Sequence, residues 1–209
     1  MSAPEPADPF AAALTPGRHG APTDTPVRIA IRRCSLVQAS ARHGRADAMA
    51  AAVRARFGLD LPPPGRASAS GELAALWLQP ECWLFMGPGG DDSLALALKT
   101  VCGATASVVD QTHGRAVLNL SGAAVRDVLA RLCRIDLHLR TFGPGRVAAT
   151  AIAELACLLH QRDDAPSFDV IVPASYAGWF LEALTHAAAA VGYEVPDAGP
   201  PAKLRAGAL

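Results

Sequence analysis

Along this chain the spacing of apolar residues switches between two periods, and the switches mark its elements. Residues 27–38 are rich in β-formers and predict a strand; His43-Gly44-Arg45 predicts a turn. Met49, Val53 and Phe57 recur at helical spacing, so residues 45–57 predict a helix with Gly58 as a left-handed cap. Residues 59–61 fit a short strand. Residues 62–71, with three consecutive prolines, two glycines and no periodicity, read as a loop. Residues 72–78 and 82–86 read as strands joined by Gln79-Pro80-Glu81. After the loop Gly87-Pro88-Gly89-Gly90, Asp91 or Asp92 can cap a helix whose apolar face is Leu94, Leu98, Val101 and Cys102, stopped by Gly103.

The second half repeats this grammar. Residues 106–110 and 116–120 read as strands, and Ser121 as the cap of a helix with the stripe Val125, Val128, Leu129 and Leu132. Residues 147–155, 157–161 and 168–172 read as strands. Residues 175–191 predict a last helix with Phe180, Leu184, Ala187 and Val191 on one side, ended by Gly192. The regular β-helix-β rhythm of a doubly wound parallel sheet is missing. The expected fold class is α+β: two ferredoxin-like modules of antiparallel strands with packed helices, at residues 27–103 and 104–193. A disordered Ala/Pro-rich extension (residues 1–26) and a flexible tail (residues 194–209) are expected to flank them.

Composition narrows the function. The 209 residues are 51% hydrophobic, enough for one or two ordinary cores. Nineteen basic residues balance 19 acidic ones, and 17 of the basic ones are Arg, spread without clustering, so nucleic acid is not an expected partner. The apolar runs are too short to span a membrane, and the first residues lack the basic start and long apolar centre of a secretory signal. A cytoplasmic location is expected. The five cysteines are widely spaced with no Cys-x-x-Cys pair, which disfavours zinc and a redox dithiol and fits buried thiols.

No catalytic, cofactor-binding or metal-binding residue is assigned. There is no His-x-x-x-His, no Gly-x-Ser-x-Gly elbow and no dinucleotide fingerprint. Gly87-Pro88-Gly89-Gly90 precedes a helix as a phosphate cradle would, but Asp91 and Asp92 would repel the anion. Asp163-Asp164 reads as a turn rather than a metal site, and His113, His138 and His160 as solvated or singly hydrogen-bonded. Asp110, ending a strand beside Gln111-Thr112-His113, either caps that turn or contacts a ligand. Arg115 can pair with an acid within the chain or across an interface, and Trp77, Trp83 and Trp179 are anchors of a core or an interface.

Asp110, Gly114-Arg115, Ser121-Gly122, Cys133, Asp136-Leu137, Gly145-Arg146, Asp164 and Phe168 follow one another in a pattern that resembles the folate-binding domain of the glycine-cleavage T-protein. It resembles more closely the gamma subunits of heterotetrameric sarcosine oxidases. Thr112 departs from that pattern, where T-protein relatives carry Ser. The resemblance implies T-protein-like modules and a non-catalytic structural or assembly subunit. It implies flavin-bearing alpha and beta subunits and a small delta subunit as partners, with FAD, FMN, NAD and tetrahydrofolate on those partners and no cofactor here. The implied reaction of the complex is oxidative demethylation of sarcosine to glycine. The one-carbon unit passes to tetrahydrofolate or leaves as formaldehyde, and hydrogen peroxide forms. The alternatives are a free-standing folate-binding, aminomethyltransferase-like module, or a gamma-like subunit of another N-methyl amino acid oxidase or dehydrogenase.

Overall fold

The structure, a computed structural model, describes residues 14–89 and 91–197. Its elements in chain order are β1 (Gly17–His19), β2 (Val27–Ile31), β3 (Ser35–Ala41), α1 (Ala46–Phe57), β4 (Ala67–Ser70), β5 (Leu73–Gln79), β6 (Cys82–Gly87) and α2 (Ser93–Cys102). There follow β7 (Ala106–Asp110), β8 (Arg115–Ser121), α3 (Val125–Leu132), β9 (Val147–Ile152), β10 (Leu155–Asp163), β11 (Ser167–Pro173), a 3-10 turn (Ala174–Tyr176), α4 (Ala177–Ala189) and β12 (Tyr193–Val195). The fold is α+β with packed helices and sheets that are antiparallel, as expected, apart from β12, which runs parallel to β2.

One sheet runs β1-β12-β2-β8-β11-β10-β9 and the other β4-β5-β6-β3-β7. They stack face to face. In each strand alternate side chains go to opposite cores. In β11, Phe168, Val170 and Val172 pack under α3 and α4, while Ile171 turns inward with Val117, Val147 and Leu158. Those four meet Leu36, Leu76, Leu84 and Met86 of the other sheet. On its far face Val37, Ala75 and Phe85 pack against Met49 and Val53 of α1 and Leu98 of α2. The result is four layers, helices–sheet–sheet–helices, with three cores. Sheets covered on both faces explain the near-continuous apolar runs of β5, β6 and β11.

Several expectations change. Residues 27–38 are not one strand: Arg32-Arg33-Cys34 breaks them, and the chain passes from the larger sheet to the smaller. The two halves of the sequence are therefore not two spatial modules. β2, from the first half, pairs with β8, and β7, from the second, pairs with β3. Residues 14–26 are not wholly disordered, because β1 pairs with β12, which spans the end of the expected second module and the start of the expected tail. Residues 1–13 and 198–209 lie outside the described residues. The expected loop 62–71 contains β4, whose Ala-Ser-Ala-Ser alternation is too weakly apolar to read as a strand but pairs in register with β5. Residues 59–61 form no strand, although Leu59 is buried. The expected strand 147–155 stops at Ile152, where Ala153 (φ 48°) and Glu154 (φ 65°) make a tight hairpin turn without the usual Asn or Gly. Ser121 ends β8 and caps nothing; Ala124 precedes α3. Gly58 does cap α1 in the left-handed region, its N–H donating to the Arg54 carbonyl.

Candidate functional site

The residues 110–115 form the connector that carries the chain from β7 in one sheet to β8 in the other. The Asp110 carboxylate accepts from the Thr112 N–H at 2.8 Å, a local turn that needs no ligand. Thr112 Oγ1 accepts from the Leu36 N–H at 3.1 Å and lies 3.3 Å from the Leu36 carbonyl, to which it donates, so its hydroxyl stands in for a strand residue beside β3. The Gly114 and Arg115 N–H groups both donate to the Gln111 carbonyl, and the Gly114 carbonyl accepts from Ala174 at the start of the last helical segment. His113 is exposed. Of the two roles open to Asp110, the geometry assigns turn capping.

Several other singled-out residues are also held in local turns or joints. Asp136 accepts from the His138 N–H and the Thr141 hydroxyl, which hold its carboxyl below the usual range. Gly145 and Val147 exchange backbone bonds with Gly65 and Ala67, stitching β9 to β4 at a corner shared by both sheets. Ser35 Oγ donates to the carbonyls of Pro88 and Asp91, and Asp91 accepts from Ser93, so the loop before α2 is pinned by its own neighbours. Trp77 and Trp83 form a cross-strand pair, with Trp83 donating to the Pro62 carbonyl, whereas Trp179 is half exposed beside Tyr176. All five cysteines are buried and free. Burial pushes Cys157 up to about 12 and Cys34 up to about 11, which keeps both as thiols rather than nucleophilic thiolates. Among the described residues, no three His, Cys, Asp or Glu side chains gather as metal ligands do.

Two polar constellations were not foreseen. Arg126, on α3, points its guanidinium into the protein over the Phe168 ring, 5.1 Å from its centroid. It donates to the carbonyls of Leu137 and Phe142 and to Gln161 Oε1, and so fastens the loop 133–146. Among the described residues no carboxylate neutralises it, and desolvation lowers its pKa. The second constellation lies between the sheets. Asp169, in the middle of β11, is fully buried. One carboxylate oxygen accepts from Asn119 Nδ2 at 2.8 Å; the other accepts from Arg32 and lies 3.6 Å from Arg162 Nε and 3.9 Å from His160 Nδ1. His160 is brought down to about 4 by burial, against the opposing pull of Asp169, so its imidazole is neutral at pH 7. The only sequence signal for this site was an Asp inside the otherwise apolar run Phe168-Asp169-Val170-Ile171-Val172.

The model of the sarcosine oxidase, gamma subunit family matches residues 42–190. Sarcosine oxidase subunit gamma of an Arthrobacter species is 32% identical over 142 residues, 65% of this chain and 69% of that protein. Its counterpart in Corynebacterium sp. (strain U-96) is 33% identical over 155 residues, 67% of this chain and 71% of that one. Among solved structures, a chain of heterotetrameric sarcosine oxidase from Corynebacterium sp. U-96 superposes with a TM-score of 0.71 at 26% identity, covering 87% of this chain and 96% of that chain. Aminomethyltransferase T of the glycine cleavage system from Bartonella henselae superposes with a TM-score of 0.60 at 15% identity, over 81% of this chain and 47% of that chain, a likeness of fold.

Proposed function

Because the chain belongs to the sarcosine oxidase gamma subunit family, we propose that it is the non-catalytic structural and assembly subunit of a heterotetrameric sarcosine oxidase. One observation carries the reading: the chain reproduces 96% of a chain of such a heterotetramer at a TM-score of 0.71. The joints described above support it, since the 110–115 connector and the Gly145–Val147 corner are occupied in holding the two sheets together. In this reading alpha, beta and delta subunits are the partners, the flavins FAD and FMN, NAD and tetrahydrofolate reside on them, and the complex works in the cytoplasm. The aminomethyltransferase-like alternative rests on fold likeness alone.

Co-expression of the cognate flavin subunits with and without this chain tests the reading. The expected outcome is a lower yield of assembled enzyme without it, and unchanged turnover per bound flavin in whatever does assemble. Flavin subunits that assemble and persist equally well without the chain refute it.

A further inference from the structure

Two sheets have four edges, and three of these are blunted. β1 is only three residues long. β9 is tied down at both ends: the Val147 N–H donates to the Gly65 carbonyl, and Cys133 bridges to Ile152. Along β4 the Ala67 N–H donates to the Gly145 carbonyl, and the Ser68 and Ser70 hydroxyls donate to the Asp60 and Phe57 carbonyls. The fourth edge is β7, whose one strand partner is β3.

The register fixes which backbone groups of β7 are in use. The Gln111 N–H donates to the Leu36 carbonyl, and the Thr105 carbonyl accepts from the Arg42 N–H. By the alternation of an antiparallel ladder, Ser107 and Val109 exchange their bonds with β3 as well, and Val108 and Asp110 turn theirs to the other side. There, among the described residues, the backbone groups of Val108 and Asp110 meet no partner. The strand Ala106-Ser107-Val108-Val109-Asp110 carries no proline, no lysine and no bulge, the usual protections of an edge. Val108 joins the core on the helix side, while Val109, on the opposite face, is 47% exposed.

We propose that β7 accepts an extended segment of a partner subunit as a sixth strand of the smaller sheet. The claim rests on the oxidase-subunit reading above and adds the place and the mode of contact. That reading favours a partner over a second copy, because a heterotetramer of four different subunits holds one copy of this chain. The chain's own end segments make poorer strands. Pro4, Pro6 and Pro9 interrupt one and Pro200-Pro201 the other, and proline has no N–H to give to a ladder. Main-chain bonds to Val108 and Asp110 hold the added strand. Its side chains lie alternately beside Val108 and beside Val109, so the segment it fits is free of proline and apolar over a few residues.

Amide hydrogen exchange resolved to single residues tests this, on the wild-type chain alone and in the complex with its cognate subunits. In the isolated chain the Val109 and Gln111 amides are expected to exchange slowly and those of Val108 and Asp110 quickly. In the complex the latter two should slow by about a hundredfold or more. In a second arm, Val108→Pro competes with differently tagged wild-type chain for the flavin subunits. It costs no hydrogen bond within the chain but blocks the added strand, so it should be outcompeted by about tenfold or more. Val108 and Asp110 amides that exchange equally fast in chain and complex overturn the proposal, whether or not the Val108→Pro protein folds. Equal incorporation of a folded Val108→Pro chain overturns it too. So does protection already present in the isolated chain: if it grows with concentration the occupant is a second copy, and if not it is one of the chain's own end segments. If the wild-type chain itself enters no complex, the oxidase-subunit reading fails and takes this proposal with it.

Discussion

Asp169→Ala should be among the most damaging single changes in this protein, and its cost can be worked from the contacts. The substitution removes a fully buried carboxylate that accepts from Asn119 at 2.8 Å and from Arg32. Losing a charge-assisted bond of this kind costs about 1.5–3 kcal/mol. The Asn119 amide is left with the Phe168 carbonyl at 3.4 Å, a long bond, so about 1 kcal/mol more is expected there. The full penalty of a stranded buried charge does not apply, because the Arg32 side chain is 29% exposed and can regain water. The total is about 2.5–4 kcal/mol, or a fall of about 5–16 °C in melting temperature for a chain of this size. Thermal and urea melts of the isolated chain read it out, with the exposed Asp164→Ala as a control expected within about 0.5 kcal/mol of wild type. A D169A protein that melts with the wild type would show that the carboxylate does not organise the inter-sheet layer.

Gly192→Ala is expected to cost about 2–4 kcal/mol in a urea melt. Its φ is 76° and a Cβ there would lie 2.3 Å from the Ala21 carbonyl oxygen, whereas Gly178→Ala, in open space on α4, should stabilise by up to about 1 kcal/mol. Stability should fall as pH drops from about 6.5 towards 4. In that window the unfolded imidazole of His160 takes a proton that the folded one, at about 4, refuses. The loss is at most about 3 kcal/mol, and His160→Gln should flatten the curve in equilibrium urea titrations across this pH range.

What the sequence conveyed depended on the kind of information each feature carries. The stripe of α3 and the runs of β6 and β11 were readable because periodicity reports which faces are buried. Periodicity says nothing about which sheet a strand joins. The break at Arg32-Arg33-Cys34, and with it the exchange of β2 and β7 between the sequence halves, left no trace in the apolar pattern. β4 was missed because Ala and Ser bury too little to mark a strand, although its backbone pairs fully. Asp110 and Thr112 were readable as a turn because Asx chemistry is local. The partners of Asp169 were not, since Arg32 is 137 residues away and only the register of four strands brings them together.

The order β1-β12-β2 at the edge of the larger sheet has a consequence for biogenesis. The last strand of the described residues is threaded between the first two. A nascent chain emerging from the ribosome can complete neither that edge nor the pairing of β1 until residues 193–195 have left the exit tunnel. The smaller sheet closes sooner, once β7 has emerged at residue 110. Synthesis therefore passes through a stage in which β2 and β8 have formed an unfinished edge with exposed backbone groups, the condition under which chains aggregate. Pairing over such sequence distances also places folding on the slow side for a domain of this size. Truncations that remove β12 should then be lost during synthesis rather than accumulate as folded protein, whatever surface the finished subunit offers to its partners.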